Sequence, residues 1–307
     1  MFNITNKLYE LEKLTVQNIK NSKSINTQRA YKSDIKSFEK FCSSLNFKSL
    51  PANPKTISLF ITEISKYSKL STIKRKLAAI KVYHNLAGQY IDLKNPIIYE
   101  NYNSIKKKIG TYQKSKKPIM IDDLKKLINY ADQEKDKKTK LRNKALLLVG
   151  FCGAFRRSEL VSIELEDLDF TKDGVKIFIK KSKTDQSGEG MFKALPYLNS
   201  SDLCPVINLK KWLEFIVKLR LSDKKIFNMS DKNVALIVKK YVKKTGLDPA
   251  KYSGHSLRSG FATSTAESGA EERQIMSMTG HKSTQMVRRY IQESNLFKNN
   301  ALKKLNI

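Results

Sequence analysis

A lysine-rich segment divides this sequence into two parts that each carry their own pattern of apolar residues. Residues 105–118 contain six lysines and no acidic residue, with a glycine inside the segment and a proline at its end. Glycine and proline interrupt regular structure, and a run of like charges stays solvated. We therefore predict a basic linker over 105–118, a first domain over 25–104, a second domain over 119–307, and an N-terminal extension over 1–24.

The first domain is predicted to consist of packed helices. Apolar residues recur at steps of three and four over 31–42, with Asn26 or Thr27 as the helix cap. Asn53-Pro54 marks a second helix start, because proline fits the first helical position.

A third helix follows residues 71–72, and its apolar stripe runs from Ile73 to Tyr83. We expect its basic residues to point away from this stripe. A DNA-facing surface and an ordinary solvated helix face explain them equally well. The candidates for phosphate contact on this helix and in the linker are Lys74, Arg75, Lys76, Lys81, Lys106, Lys107 and Lys108.

The second domain is predicted to be mainly helical with one small β-hairpin. Residues 141–151 are apolar nearly all round, which is typical of a central core helix. Apolar and other residues alternate over 175–180, and a polar, glycine-containing turn leads to a second strand over 191–195. The fold class is therefore mainly α, with a small antiparallel sheet in the second domain.

The charge of the chain indicates a polyanionic partner. There are 59 Lys and Arg against 29 Asp and Glu, a formal net charge of +30. Residues 1–117 hold 23 basic and 7 acidic side chains and residues 118–307 hold 36 and 22, so both parts would attract a DNA backbone. An anionic membrane surface, ribosomal RNA and the lysine-rich composition of an AT-rich genome remain alternative explanations.

Membrane insertion and secretion are not expected. The first residues lack the apolar core of a signal peptide, and the longest nearly apolar run, 145–155, is too short to span a bilayer. Cys42, Cys152 and Cys204 are far apart and have no metal-ligand spacing. We expect reduced, mostly buried thiols and a cytoplasmic protein, associated with the nucleoid when it is bound to DNA.

Two of the three histidines belong to a pattern that suits cleavage of a phosphodiester. His255 and Arg258 are three residues apart at a predicted helix start, so both side chains and the helix N-terminus face one anion. His281 and Tyr290 follow on the next elements. Tyrosine is a covalent nucleophile, and nearby guanidinium groups favour its phenolate form.

Taken singly, each of these residues has an ordinary structural explanation. A lone histidine in a helix is usually packed or capping, and a lone tyrosine is usually half-buried core. Arg156 and Glu159 could form a plain intrahelical ion pair. The functional interpretation therefore depends on their combination and order along the chain.

The combination resembles the tyrosine recombinases, also called phage integrases. The resemblance covers the chain from about residue 25 to its end and looks most like the compact Cre and Xer type. It implies an N-terminal helical, SAM-like core-binding domain and a mostly helical catalytic domain of the DNA breaking-rejoining enzyme fold. The segments that carry it are "NTQRAYKSDIKSFEKFC", "LSTIKRKLAAIKVYH", "CGAFRRSELVSIELEDLDF", "KKSKTDQSGEG" and "SGHSLRSGFATSTAESGAEERQIMSMTGHKSTQMVRRYIQ".

The resemblance also implies a role for each matched residue. The two arginines bind the phosphate, Glu159 helps to order the site, and Lys183 protonates the leaving 5′ oxygen. His255 is an acid/base partner of the phenol, His281 is a hydrogen-bonding group, and Tyr290 is the nucleophile. The implied catalytic set is Arg156, Lys183, His255, Arg258, His281 and Tyr290, with Glu159 in support.

The implied activity is site-specific DNA recombination through a 3′-phosphotyrosine, with no cofactor, metal or ATP. The implied partners are double-stranded DNA with specific recombination sites and three further protomers in a homotetramer, or a second recombinase. The resemblance is compatible with three biological roles, which are integration of a mobile element, dimer resolution and inversion. The apolar tail residues suit a helix that docks on a neighbouring protomer or on its own domain, and they are Leu296, Ala301, Leu302 and Leu305.

Three other functions are consistent with parts of the sequence. A type IB topoisomerase shares the chemistry but exchanges no strands between sites. A DNA-binding architectural protein of the same fold would lack catalysis altogether. A metal nuclease would use the acidic residues before the hairpin, Glu164, Glu166, Asp167 and Asp169.

Overall fold

The computed structural model describes residues 2–112, 115–180, 182, 189–219, 224–281, 283–295, 302 and 305. The chain divides into two compact units, Met1–Lys114 and Ser115–Ile307. The boundary between them falls within the segment predicted as a linker. Each unit has its own buried core and is described separately.

The first unit is helical, as its periodicity predicts. Ser24 caps α2, and its side chain accepts the backbone N–H of Thr27. The expected cap, Asn26 or Thr27, lies inside the first turn. Asn53 caps α3 through a 2.8 Å bond from the Lys55 N–H, which confirms that start. The helices are α1 (Phe2–Asn21), α2 (Ile25–Ser44), α3 (Pro54–Ser65), α4 (Leu70–Leu86) and α5 (Pro96–Ile109).

The core of the first unit is built from the predicted apolar stripes of α2, α3 and α4. Phe38, Ile57, Phe60 and Ile73 are all at most 1% exposed. Ile105 is also buried against this core, so α5 continues through residues 105–109 of the expected linker. The helix ends at Gly110, whose φ of 77° suits glycine.

The third histidine of the chain is structural. His84 is fully buried in α4, its Nε2 accepts the Ala52 N–H at 2.9 Å, and its Nδ1 lies 2.8 Å from the Ile80 carbonyl oxygen. Both ring nitrogens are therefore occupied in a purely packing role.

The second unit surrounds α7, which is buried on all sides over residues 143–151, as predicted. The fold class is confirmed, since this unit combines helices with a small antiparallel sheet. Its helices are α6 (Ile121–Asp132), α7 (Lys137–Cys152), α8 (Arg157–Leu160), α9 (Pro205–Lys218), α10 (Asp231–Lys244), α11 (His255–Glu267), α12 (Glu272–Thr279) and α13 (Thr284–Asn295).

The sheet contains the predicted hairpin and one additional strand. Its antiparallel order is β1 (Leu168–Phe170), β2 (Gly174–Ile179) and β3 (Met191–Pro196). Ile177 of β2 pairs with Lys193 of β3, and both side chains are buried. A lysine therefore lies on the inner face of this sheet, where alternation would place an apolar residue.

The predicted C-terminal docking helix lies largely outside the described residues. Leu296 and Ala301 lie outside the described residues, and Leu302 and Leu305 are exposed. Within the described ranges, no helix combines the length and apolar character that crossing a bilayer requires.

Candidate active site

A turn between α7 and α8 places Arg156 at the start of a helix. Ala154 in this turn has a φ of 46°, a left-handed conformation that is uncommon for alanine. Glu159, one turn later, accepts the Arg156 backbone N–H at 2.9 Å and its Nη1 at 2.5 Å. Because Glu159 is only 2% exposed, this pair fixes both the backbone and the guanidinium of Arg156.

The neighbouring arginine points elsewhere. The Arg157 guanidinium lies 3.6 Å from a carboxylate oxygen of Asp231, and its aliphatic stem packs directly on Gly254. A Cβ at Gly254 would stand 2.3 Å from the Arg157 Cδ, so any other residue there would displace the Arg157 side chain. The structure thus separates the two arginines, and Arg156 is the one that pairs with Glu159.

Arg258 is buried beside the same turn. It lies on α11, is 1% exposed, and its Nη1 donates a 2.9 Å bond to the Ala154 carbonyl oxygen. Its Nε and Nη2 have no hydrogen-bond partner among the described residues. Burial and then the charge of Arg156 lower the pKa of Arg258 to about 10. Two unpartnered N–H groups on one planar fork match the oxygens of a phosphate.

His255 begins α11, one turn before Arg258. Partial removal from water, and then the guanidinium groups of Arg258, Arg156 and Arg157, lower its pKa, although part of the residue stays exposed. Its imidazole is therefore neutral at pH 7 and able to accept a proton. The start of α11 also provides the positive end of a helix dipole at this point.

His281 and Tyr290 complete the cluster from the following elements. α12 ends at Gly280 in a left-handed conformation, and His281 comes next. The His281 and Tyr290 rings are 6.4 Å apart between centroids. Burial, followed by the charges of Arg258, Arg156, His255 and Lys193, lowers the pKa of His281 to about 4. Its Nδ1 is buried without a partner in the described part of the chain.

Tyr290 lies on α13 and is 9% exposed. Its ring packs in a small cluster with Ala262 and Ala266 of α11 and Ile275 of α12. Tyr290 also interacts electrostatically with Arg258. The structure thus brings the predicted residues together around Arg258, which interacts electrostatically with each of the others. These are Arg156, Glu159, His255, His281 and Tyr290.

Sequence reasoning missed one member of this cluster. Lys193 is 2% exposed, its Nζ donates to the Gly153 carbonyl oxygen at 2.6 Å, and it lies 4.5 Å from the centroid of the Phe155 ring. Burial lowers its pKa to about 7, against the opposing effect of Glu159. The available signal was positional, because Lys193 shares a strand face with the apolar Leu195.

Lys183 lies outside the described residues, but the nearby Lys180 is described. Its Nζ is 2.6 Å from Glu164, 2.5 Å from Glu166 and 3.2 Å from Asp167. Three of the four acids considered for a metal nuclease therefore surround a lysine. No group of three or more histidine, cysteine or acidic residues in the described ranges could hold a metal ion.

The basic residues expected on the first unit differ in their exposure. Lys76 is turned inward, because its Nζ bonds to Ser37 Oγ at 2.8 Å and lies 3.9 Å from Asp34. The expectation that Lys76 points away from the core is therefore wrong. Arg75 is partly exposed, and its Nη1 contacts Asp34 at 2.6 Å. Lys74, Lys81, Lys106, Lys107 and Lys108 are also exposed.

Solved structures of DNA recombinases share this fold. A XerH site-specific recombinase bound to its difH substrate superimposes with a TM-score of 0.62 at 18% identity, over 81% of this chain and 70% of that chain. The Tn1549 transposon integrase in complex with transposon DNA gives a TM-score of 0.63 at 15% identity, over 96% and 99%.

Sequence comparison identifies the family. An integrase/recombinase xerD homolog of Selenomonas ruminantium is 41% identical over 299 residues, covering 94% of this chain and 87% of the relative. The tyrosine recombinase XerC of Thermodesulfovibrio yellowstonii is 30% identical over 92% of this chain and 88% of its own length. The phage integrase family model matches residues 118–296, and the phage integrase N-terminal SAM-like domain model matches residues 16–89. The chain therefore belongs to the phage integrase family, the Xer-like tyrosine site-specific recombinases.

Proposed function

We propose that this recombinase cleaves and rejoins DNA through a covalent bond between Tyr290 and a 3′ phosphate, without metal or ATP. The observation that carries the proposal is the buried Arg258 guanidinium, whose Nε and Nη2 lack partners among the described residues. A buried cation with unpaired donors is costly unless an anion completes it. A scissile phosphate is the anion that also explains the neighbouring Tyr290 and His281.

The cluster supports each step of this reaction. Arg156 and Arg258 hold the non-bridging phosphate oxygens and stabilise the charge that develops on them. His255, neutral at pH 7, accepts the proton of the Tyr290 hydroxyl as the phenol oxygen attacks phosphorus. The bond to the 5′ oxygen then breaks, and Lys183 supplies its proton.

Rejoining reverses these steps. A 5′-hydroxyl from the partner duplex attacks the phosphotyrosine, the new P–O bond replaces the tyrosine ester, and Tyr290 regains its proton. One phosphodiester is exchanged for another, so no ATP is consumed. Because guanidinium groups balance the phosphate charge, no metal is needed. The reaction takes place in a homotetramer on two DNA sites, or with a second recombinase, in the cytoplasm and on the nucleoid.

The exposed lysines of the first unit contribute to affinity rather than to chemistry. Lys74, Lys81 and the run over 106–108 are exposed, and in this proposal they contact phosphates and make binding depend on salt. The formal charge of +30 agrees with such a contribution.

Tyr290→Phe tests the nucleophile on nicked suicide substrates, from which the cleaved strand cannot be rejoined. The wild type is expected to accumulate a covalent protein–DNA adduct that persists in excess EDTA. Tyr290→Phe is expected to bind the same DNA with unchanged affinity and to form none.

Two results would contradict this assignment. An equal adduct yield in Tyr290→Phe would exclude Tyr290, and no adduct in the wild type on any substrate would favour the architectural alternative. Strand exchange between two marked DNA sites distinguishes a recombinase from a topoisomerase, which relaxes supercoils without exchange.

A further inference from the structure

Lys193 connects the sheet to the turn that carries the catalytic arginines. Its Nζ donates to the carbonyl oxygens of Gly153 at 2.6 Å and Ala154 at 3.4 Å. The side chain crosses from β3 over the Phe155 ring to reach them. The proposed reaction does not use this buried amino group in any step.

The same turn links both arginines. The Ala154 carbonyl oxygen that lies near Lys193 also accepts the 2.9 Å bond from Arg258 Nη1. Arg156 follows two residues later as the N-cap of α8. A shift in this turn would therefore displace both guanidinium groups relative to each other and to Tyr290.

The turn contains a backbone conformation that alanine rarely adopts. Ala154 has a φ of 46°, and alanine pays a steric cost in this left-handed region that glycine does not. Lys193 binds the carbonyl groups on both sides of the Ala154 Cα, which is where a contact that stabilises this conformation would act.

Burying Lys193 lowers the stability of the fold. Burial, together with the charges of Arg258 and Arg156, lowers its pKa to about 7, with Glu159 acting in the opposite direction. An apolar residue would suit this inner strand position beside Ile177 and Leu195 better. A group that costs stability at a reaction site is typical of a functional role.

We propose that Lys193 is a positioning residue for cleavage, which holds the Gly153–Ala154 turn so that Arg156 and Arg258 meet the phosphate together. This proposal rests on the proposed function. Lys193 acts through the turn rather than on the DNA, since it is 2% exposed and its ammonium group faces backbone oxygens. Lys183 remains the proposed proton donor to the leaving 5′ oxygen.

Lys193→Met removes the ammonium group and keeps an unbranched side chain that is one atom shorter. We expect single-turnover adduct formation at saturating DNA to slow by about 10- to 100-fold, the size of effect that a small misplacement of catalytic groups produces. DNA affinity should stay unchanged, and the melting temperature should move by less than about 4 °C. Should this variant not fold, Lys193→Leu is measured in the same way, and a wild-type rate in either variant overturns the proposal.

Lys144→Met is the matched control. Lys144 is another buried lysine of the same unit, and it pairs with Asp132 at 2.7 Å away from the reaction site. We expect this variant to melt at a lower temperature yet cleave at the wild-type rate below its transition. Equal losses of rate in Lys144→Met and Lys193→Met would mean that only general stability is at stake.

Two further measurements separate positioning from proton donation. A substrate with sulfur in place of the scissile 5′ oxygen has a leaving group that needs no proton. It should leave Lys193→Met slow, whereas restored cleavage would assign proton donation to Lys193 and overturn the proposal. Adding Ala154→Gly to Lys193→Met should recover at least part of the rate, because glycine adopts the left-handed turn without support.

The outcomes also separate this proposal from the proposed function. If the wild type forms no adduct, the proposed function fails before Lys193 is tested. If the wild type forms adducts that depend on Tyr290 while Lys193→Met cleaves as fast, only the role of Lys193 fails.

Discussion

The two units each bury a carboxylate among cations, and the two clusters differ in where their surplus charge goes. In the first, Asp34 contacts Arg75 at 2.6 Å and Lys76 at 3.9 Å, and 42% of the Arg75 side chain reaches solvent. We call these three residues the α2–α4 cluster. The second cation of this cluster, Lys76, also donates to Ser37 Oγ. Each charged group of the cluster therefore has a partner among the described residues.

In the second cluster, the excess of positive over negative charge is buried inside the protein. We call Arg156, Glu159, Lys193 and Arg258 the arginine cluster. One carboxylate faces three basic side chains, of which Lys193 and Arg258 are 2% and 1% exposed. The pKa of Lys193 is lowered to about 7 and that of Arg258 to about 10, chiefly by burial. Excess positive charge that is shielded from water indicates a binding site for an anion. Excess positive charge that is exposed to solvent is compatible with a structural ion pair.

Arg258→Met should produce the largest effect. Loss of the buried fork removes the donors intended for the phosphate, and removal of one such group from a reaction site typically slows the chemical step by about 10²- to 10³-fold. Adduct formation on suicide substrates measures this rate. A cleavage rate within a few-fold of the wild type would contradict the proposed difference between the two clusters. The buried positive charge would then have no role in the reaction.

Asp34→Asn is the counterpart in the α2–α4 cluster. Breaking a partly buried ion pair from one side costs about 1–3 kcal/mol of unfolding free energy, between the values for exposed and buried pairs, so denaturant unfolding should detect it. Adduct formation on bound DNA should nevertheless continue at the wild-type rate, because Asp34 holds no phosphate-binding group of the reaction site.

A smaller expected effect is a dependence of stability on pH that comes from His281. Its pKa is about 4 in the folded protein and 6.5 as an ordinary value, so the unfolded chain takes up a proton between these limits. Stability should therefore fall as the pH drops from about 6.5 toward 4, by about 1–2 kcal/mol at pH 5 after allowance for partial exposure. Urea unfolding at pH 7 and pH 5 measures the change.

His281→Gln provides the comparison for that measurement. Glutamine does not titrate, so the variant should lose less stability than the wild type between pH 7 and pH 5. Identical pH dependence in both proteins would show that the positive charges of Arg258, Arg156, His255 and Lys193 do not act on His281 as the structure indicates.

Local spacing explains which parts of the site could be predicted from the sequence. Arg156 with Glu159, and His255 with Arg258, are pairs three residues apart near helix starts, so their shared faces follow from helix geometry. Their meeting with Tyr290 depends on how α11, α12 and α13 pack, and the sequence alone indicated it only through the family resemblance. The fold class was likewise predictable, because helical and alternating patterns are local.

Lys193 could not be assigned from the sequence for a physical reason. Its face follows from strand alternation, but its contact with Gly153 joins residues 40 positions apart. Only the register of β2 against β3 and the packing of the sheet on the α7–α8 turn bring them together. The wrong expectation for Lys76 has the same origin, since its partner Asp34 lies on another helix.

The smallest expected effect compares Lys76 with Lys81 in DNA binding. Lys76 is three residues after Ile73 and one before Leu77, so helix geometry places it beside the apolar stripe, where Ser37 and Asp34 hold it. Lys81 on the same helix is exposed and free of such contacts in the described residues. A phosphate contact requires an available ammonium group, so Lys81→Met should reduce the salt dependence of DNA binding by about one ion, and Lys76→Met should change it less. Affinity measured across a series of salt concentrations checks both slopes, and a larger change for Lys76→Met would place the α2–α4 cluster in contact with DNA and remove its contrast with the arginine cluster.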